Sequence, residues 1–512
     1  MVATAPLPPP RAEMQSAEAV APGRHRMQPL LWPFVLTFGV TSYGLTAPVL
    51  GRDELITWDV VTRDAGHILV TLHNVDVVHG AYYLLMHLWV SLFGDSVVSM
   101  RLPSVLTASG AASVLSMIGN RLFGLRAGIL AGTLFALVPA VSRYAQEARS
   151  YALVILLAAL ATLLLLKVLD HPRSPGHWIA YALTLVGLGL LHVIALSLVA
   201  AHACLLGAHA RRDRSLWWKS ALVLLAVVAL LAPVVLLSRS QADIQLGWIP
   251  VPDGWALLSI WQDIFASGAC AGVVIALALL ARSPRTAALL MCAVWGVLPP
   301  VLVWLASQGD VSYFRPVYLL FTVPAWVLLA GAGLSTACRS WNAAAALLAV
   351  LAVLSLFDQR QVRQPFDHDG PIFQLPLDYR SAADLIRKNY RPGDAVVYDR
   401  EHAWKVDTGV QYYLPRGLKM RDVFLRSAPR QINQLYAIDC FVPDRCLRGE
   451  QRIWLLAHGA DQNPFNAINQ GQASALRNWY EPSWSRSLPG MTVTLLVRND
   501  KHWPSPRTRE GG

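Results

Sequence analysis

About eleven apolar runs recur between Leu30 and Phe357, each roughly 17–22 residues long, the length at which a helix crosses a bilayer. They fall near 30–50, 101–119, 126–142, 151–169, 178–191, 193–209, 216–237, 264–281, 286–306, 317–337 and 341–357. Of the 512 residues 54% are hydrophobic and only 15% charged, against about a quarter charged in soluble domains. That balance excludes an ordinary soluble enzyme. The chain reads as a polytopic α-helical membrane protein.

Its charge of +11 would suggest nucleic acid in a soluble protein, but no basic arm or aromatic-basic interleave of that kind is present. In a membrane protein the placement of the charges matters more than their sum. Residues 1–28 are Ala/Pro-rich, with Arg11, Arg24 and Arg26, and too polar for a signal sequence. They read as a disordered cytoplasmic tail before a retained first span.

One stretch is ambiguous. His79 to Gly94 is about sixteen residues long, short for a crossing. If it lies flat, the cytoplasmic gaps collect about fourteen basic residues, among them Arg121, Arg126, Arg211, Arg214, Lys219, Arg282, Arg285 and Arg339, and the opposite gaps about seven. If it crosses, the bias falls on the wrong side. The segment therefore reads as an interfacial helix carrying Tyr82, Tyr83 and Trp89 at headgroup depth. Between 178 and 209, Gly187, Gly189 and His192 suggest two short helices meeting at the outer face.

On this reading the membrane domain is 29–357, with a first outer loop at 51–100, and 358–512 forms an extracytoplasmic α/β domain. A linker marked by Pro365, Pro371 and Pro376 leads into a helical pattern at Tyr379–Tyr390, strand-like runs at Ala395–Tyr398, Ile453–Ala457 and Met491–Arg498, and a helical pattern at Ala467–Tyr480. This domain suits docking, acceptor binding or passive capping. Cys440 and Cys446 are spaced to close a small loop in an oxidising compartment; two free thiols are the alternative. Cys204, Cys270 and Cys292 lie in apolar runs as packing residues.

Charges near a membrane tend to be functional or paired. Asp53-Glu54 directly follows the first span, where a carboxylate can take a proton from a hydroxyl; an interfacial cluster with Arg52 is the alternative. His73, Asp76 and His79 follow, without a fixed two-His helical spacing; they read as interfacial or acceptor-contacting residues, with a metal site as the alternative. Arg101 opens a span, Glu147 and Arg149 stand at the mouth of two more, and Arg315 precedes a late one. Arginines at one membrane level suit a phosphate whose lipid tail stays in the bilayer; snorkelling to headgroups is the alternative for each.

These residues, in this order, resemble a known family. Asp53-Glu54, Tyr82-Tyr83-Leu84-Leu85, Phe93-Gly94, Arg101-Leu102-Pro103-Ser104 and Gln146-Glu147-Ala148-Arg149-Ser150-Tyr151 are similar to motifs of the GT-C glycosyltransferases of the family 39 type. That group includes protein O-mannosyltransferases and lipid A aminoarabinose transferases, with similar actinobacterial cell-envelope mannosyl- and arabinosyltransferases. The resemblance spans about residues 30–360. It implies a polyprenyl-phosphate sugar donor, transfer on the extracytoplasmic face of the plasma membrane, and a glycan, glycolipid or protein as acceptor. It implies Asp53 as base and Glu54 beside it in support. It maps the arginine opening the second span to Arg101, the acid of the second outer loop to Glu147, and the donor-phosphate arginine to Arg315. With His79, Arg149 and His192 these make the candidate substrate-binding set.

The chain also departs from the pattern. His79-Gly80-Ala81 stands where many relatives have His-Pro-Pro, and Pro316 follows Arg315 where a tyrosine is common. Relatives differ in their use of a divalent metal, so no metal ligand is assigned and metal dependence stays open. The implied reaction is inverting transfer of mannose, with arabinose as the alternative sugar. The rival from another class is a lipid-linked-sugar flippase, for which interrupted helices and mid-span charges would be expected.

Overall fold

The computed structural model describes residues 28–211, 213–364, 377–401, 405–459 and 463–499; residues 1–27 of the expected tail and the linker prolines Pro365, Pro371 and Pro376 lie outside these. After α1 (Gln28–Ser42) come three short helices, α2 (Arg52–Val61), α3 (Ala65–Asn74) and α4 (Gly80–Phe93), and then the long α5 (Val97–Phe123). Next, α6 (Leu125–Leu137) and α7 (Pro139–Ala145) meet at a 64° bend, where Pro139 has no N–H to continue the ladder.

The bundle continues with α8 (Tyr151–Asp170), α9 (Pro175–Leu191), α10 (Leu198–Ala210) and α11 (Ser215–Leu246). A second pair, α12 (Gly254–Phe265) and α13 (Gly268–Leu279), bends by 98° around Ala266, and Ser267 then caps α13 by accepting from the Cys270 amide. It ends with α14 (Thr286–Ala306), α15 (Val323–Ala337), α16 (Trp341–Leu354) and the short α17 (Leu356–Gln361).

Among the described residues, six helical segments are long and apolar enough to cross a membrane, or eight if each bent pair is one span. The remaining apolar runs fold as the shorter helices α1, α9 and α16. Every run read from the sequence is thus helical, but full crossing length is reached by six to eight of them. The 178–209 stretch is broken at His192, whose extended backbone separates α9 from a 3₁₀ turn leading into α10.

At 14 residues, α4 is about 21 Å long, short of the ~30 Å hydrocarbon core. It turns Tyr82, Tyr83 and Met86 inward and leaves Leu84, Leu85, Leu88 and Leu92 exposed. Tyr82 and Tyr83, expected at headgroup depth, are instead packed into the protein at 3% and 0% exposure, because their rings face the bundle core.

The rest of the chain builds a mixed sheet with helices on both sides. Its elements are α18 (Tyr379–Asn389), β1 (Ala395–Tyr398), α19 (Val406–Tyr413), β2 (Arg421–Asp422), β3 (Leu425–Ser427), α20 (Pro429–Ile432), β4 (Ile438–Asp439), α21 (Pro443–Cys446), β5 (Arg452–His458), α22 (Gln470–Trp479), β6 (Tyr480–Leu488) and β7 (Met491–Arg498). The main sheet runs β2-β1-β5-β7-β6, parallel through β2, β1 and β5 and antiparallel beyond. Cys440 and Cys446 are joined by a disulfide.

The two-residue period of β1 sends Val396 and Tyr398 into one apolar layer and Ala395 and Val397 into the other. The first layer also receives Val49, Leu50 and Leu55. The start of α2 is therefore part of the sheet domain's core, while Ile56 and Val60 on the same helix belong to the core of the bundle.

Within the bundle α5, α6 and α15 approach backbone to backbone. A β-carbon on Gly128 would stand 2.3 Å from the Ser116 carbonyl oxygen, and one on Gly331 2.6 Å from that of Ala127. Small residues at such crossings let dispersion contacts hold helices together where lipid offers no hydrophobic drive. Gly128→Leu is expected to force α5 and α6 apart at a cost of about 1–3 kcal/mol or more, read as a lowered melting temperature of the detergent-solubilised chain.

Candidate active site

The site is organised by one buried ion pair. Arg101 on α5 and Glu54 on α2 have side-chain exposures of 0% and 1%. A guanidinium has five N–H donors, and five bonds are present here. Nε and one Nη2 bond go to Glu54 at 2.8 and 2.6 Å, and the others to the carbonyls of Leu45, Pro48 and Val49 at 2.8, 3.1 and 2.9 Å. Glu54 also accepts from the backbone amides of Gly51 and Ala148, both at 2.9 Å. The pair ties the end of the first connection, the first turn of α2, α5 and the 146–150 loop to one point.

Asp53, the preceding residue, leaves α2 on a different side. Its side chain is 40% exposed and lies 3.5 Å from Arg149 Nη2. It faces a cavity of about 430 Å³. The walls come from the start of α2, the turn at Val75–His79, the 143–151 segment, the end of α11 with Gln245 and Trp248, the Arg315–Tyr318 segment, and Leu435 and Tyr436 of the sheet domain.

Of the residues singled out in the sequence, the structure brings Asp53, His79, Glu147, Arg149 and Arg315 into this cavity. Glu54 and Arg101 stand behind it, with their polar atoms spent on each other and on backbone. His192 is also set back: its Nε2 donates to the Tyr318 carbonyl at 2.9 Å.

Further groups join them that the sequence did not mark as a set. Tyr83 donates to Asp76 at 2.5 Å and accepts from Arg149 at 3.2 Å. Asp76 has a left-handed backbone, φ 65°, which L-residues adopt at a cost. This places its carboxylate against Tyr83. Arg149 thereby holds Asp53 on one side and His79 Nε2, at 3.1 Å, on another. Arg315 lies over the Trp248 ring, 4.9 Å from its centroid.

The wall from the sheet domain is pinned at three successive carbonyls. Asn74 donates to Asn433 at 3.2 Å, Arg63 to Gln434 at 2.8 Å, and the Lys405 ammonium to Leu435. No periodicity in 433–436 signalled this, because the segment has no regular structure of its own.

Four guanidiniums (Arg52, Arg143, Arg149, Arg315) face the cavity against three carboxyls (Asp53, Asp76, Glu147). Burial, reinforced by Asp53 and Glu54, pushes the Glu147 carboxyl up to about 8 against the pull of Arg143 and Arg149, so it is neutral at pH 7. Burial also raises Asp76 despite Arg149 and Tyr83. Burial and Arg149 together hold His79 well below the usual imidazole range. The cavity is net positive and suits an anionic group.

Among the described residues no three His, Cys, Asp or Glu side chains converge as ligands, and His79 Nε2 is already taken up by a guanidinium.

The family model for dolichyl-phosphate-mannose-protein mannosyltransferase matches residues 81–237. The structure is similar to ArnT from Cupriavidus metallidurans bound to undecaprenyl phosphate, with a TM-score of 0.60 at 15% identity, covering 93% of this chain and 99% of that one. The apo state of the same protein gives 0.60 at 15%, covering 91% and 97%. The Archaeoglobus fulgidus oligosaccharyltransferase complexed with zinc and sulfate gives 0.46 at 12%, covering 93% and 74%. No curated protein matches the chain by sequence. The chain has the GT-C fold.

Two outcomes follow from the site's electrostatics. Glu54→Gln should leave Arg101 buried without its counter-charge and cost about 3–5 kcal/mol, measured as a fall in melting temperature. For Glu147 the folded pKa lies above the unfolded value. The stabilisation linked to its proton is full below about pH 4.5 and lost as pH rises through about 8. Glu147→Gln should therefore match wild type near pH 5 and melt about 3 °C or more above it at pH 8.5.

Proposed function

We propose, taking a GT-C membrane glycosyltransferase as the premise, that the chain moves mannose from a polyprenyl-phosphate donor to an acceptor hydroxyl on the extracytoplasmic side, with inversion. The observation that carries this is the exposed Asp53 carboxylate inside a cavity lined by four arginines. An arginine-rich cavity fits a phosphate, and the undecaprenyl phosphate in the similar ArnT structure supports a lipid-linked donor.

In the proposed step Asp53 takes the proton of the acceptor hydroxyl. The acceptor oxygen forms its bond to the anomeric carbon from the face opposite the donor phosphate, and the carbon–oxygen bond to that phosphate breaks. The electron pair leaves with the phosphate, where Arg315 and Arg149, with Arg143 beside them, stabilise the growing charge. Glu147 is neutral at pH 7 and does not repel the phosphate. Arg101 and Glu54 hold Asp53 in place, and Tyr83 and Asp76 orient Arg149.

The orientation is supported by the far end of the bundle. Arg121 lies about 30 Å along α5 from Arg101 by helical rise. Its carbonyl accepts from Arg285, while Arg126 donates to the carbonyls of Arg339 and Ser340 at 2.7 and 2.6 Å. A basic end of this kind favours the cytoplasm, which supports the reading that the cavity and the sheet domain are extracytoplasmic. The acceptor class of this reading is a glycan, a glycolipid or a protein.

The test is transfer by the purified chain from radiolabelled polyprenyl-phosphate mannose to a membrane acceptor fraction, with the arabinose donor run in parallel. Asp53→Asn should lower the rate by about 10²–10⁴-fold, the usual contribution of a general base, while donor binding is kept. Retained transfer would remove Asp53 from the chemistry. Donor binding with no transfer of either sugar by wild type would favour a flippase.

A further inference from the structure

A second cleft, of about 410 Å³, opens on the other side of α2. Its floor is Trp58 and Asp59, its rim includes Asp95, and its far wall is Arg400, Asp407, Arg416 and Arg430 of the sheet domain. We propose that this cleft is a binding subsite for the neutral sugar residues of an oligosaccharide acceptor, set beside the reaction cavity. The assignment rests on the glycosyltransferase reading for its role and on the cleft's own chemistry for its ligand.

The charge pattern selects the ligand. Each guanidinium lining the cleft meets a carboxylate that also lines it. Arg430 donates to Asp59 at 3.0 Å, Arg416 to Asp95 at 2.8 Å, and Arg400 to Asp407 at 2.8 Å. The reaction cavity has an excess of arginine, but here the signs balance, so neither a phosphate nor a cation is favoured. A carboxylate and a guanidinium side by side offer acceptors and donors together, which matches the alternating needs of vicinal hydroxyls. Trp58 adds an aromatic surface shared with the Arg430 guanidinium, 5.9 Å from its ring centroid, and its indole N–H is fixed to Asp95 at 3.0 Å. An aromatic surface beside paired donors and acceptors suits a neutral, polyhydroxylated ring, whose C–H face is apolar and whose edge is polar.

Placement gives the subsite its use. Asp53 and Ile56 face the reaction cavity while Trp58, Asp59 and Thr62 face the cleft. The helical rise between Asp53 and Asp59 is about 9 Å, a distance that a short oligosaccharide spans. Arg430 closes the arrangement from the sheet domain by also donating to Thr62 at 2.5 Å. A glycan held here would present one end toward α2 and Asp53.

The experiment is saturation-transfer NMR of the full chain in nanodiscs with mannotetraose and, separately, arabinotetraose. Ala428→Trp would fill the cleft from its wall. Arg416→Ser would remove a side chain that is 88% exposed and so keeps the measurement independent of folding. Binding of at least one tetrasaccharide is expected, weakened about tenfold or more by Ala428→Trp and about threefold by Arg416→Ser. Absence of binding by both sugars at millimolar concentration, or equal binding in both cleft variants, would overturn the proposal. Cleft-dependent binding in a chain that transfers neither sugar would uphold the subsite and count against the transferase reading alone.

Discussion

The Glu54–Arg101 pair is the interaction on which the rest of the site depends. Two ionised groups buried to this degree are tolerated only when each remaining donor and acceptor is matched, and here the guanidinium's five donors and four acceptor positions of the carboxylate are used. The Glu54–Ala148 contact alone joins positions 94 apart in the chain. The pair therefore does what a local turn could not: it sets the angle at which α2 leaves the bundle. Asp53 follows from that angle, because adjacent residues on a helix point about 100° apart. One acid is sunk into the frame and its neighbour is turned to the cavity.

With α2 fixed, it becomes the element shared by both halves of the molecule. Leu50 and Leu55 pack in the sheet domain, and Ile56 and Val60 in the bundle. Neither half encloses the reaction cavity alone, since Arg149 and Arg315 come from the bundle and Leu435 and Tyr436 from the sheet domain. The strap at 433–436 is held by side-chain donors on its successive carbonyls, which gives an irregular segment the rigidity that a binding wall needs. The sheet domain is thus part of the site's architecture and not a cap placed over it.

The two clefts flanking α2 differ in charge more than in size. The cavity beside Asp53 concentrates guanidiniums around a neutral Glu147 and an exposed Asp53, an arrangement that suits an anion. Across the helix, arginines and aspartates cancel in pairs. A single helix thus separates a net-positive space from a charge-balanced one.

Much of this was legible in the sequence. The apolar runs dictated a helical membrane domain, because only backbone-satisfied helices of that length suit a bilayer. The polar turn after Phe357 and the short alternating runs beyond it indicated a sheet domain. The charges that interrupt the ends of apolar runs, Asp53, Glu147, Arg149 and Arg315, were visible because their expense in that setting marks them. Their division of labour was not. Asp53 and Glu54 are indistinguishable as a dipeptide, and Arg101 looks as available to a phosphate as Arg149 does. Only the tertiary structure decided which arginine is consumed by backbone carbonyls and which faces the cavity. It likewise decided that His192 is set back behind Tyr318, that Asp76 and Tyr83 brace Arg149, and that Leu435 and Tyr436 close the wall. Most of those roles depend on contacts between segments tens to hundreds of positions apart, and hydrophobic periodicity records only which face of an element is buried, not what meets it there.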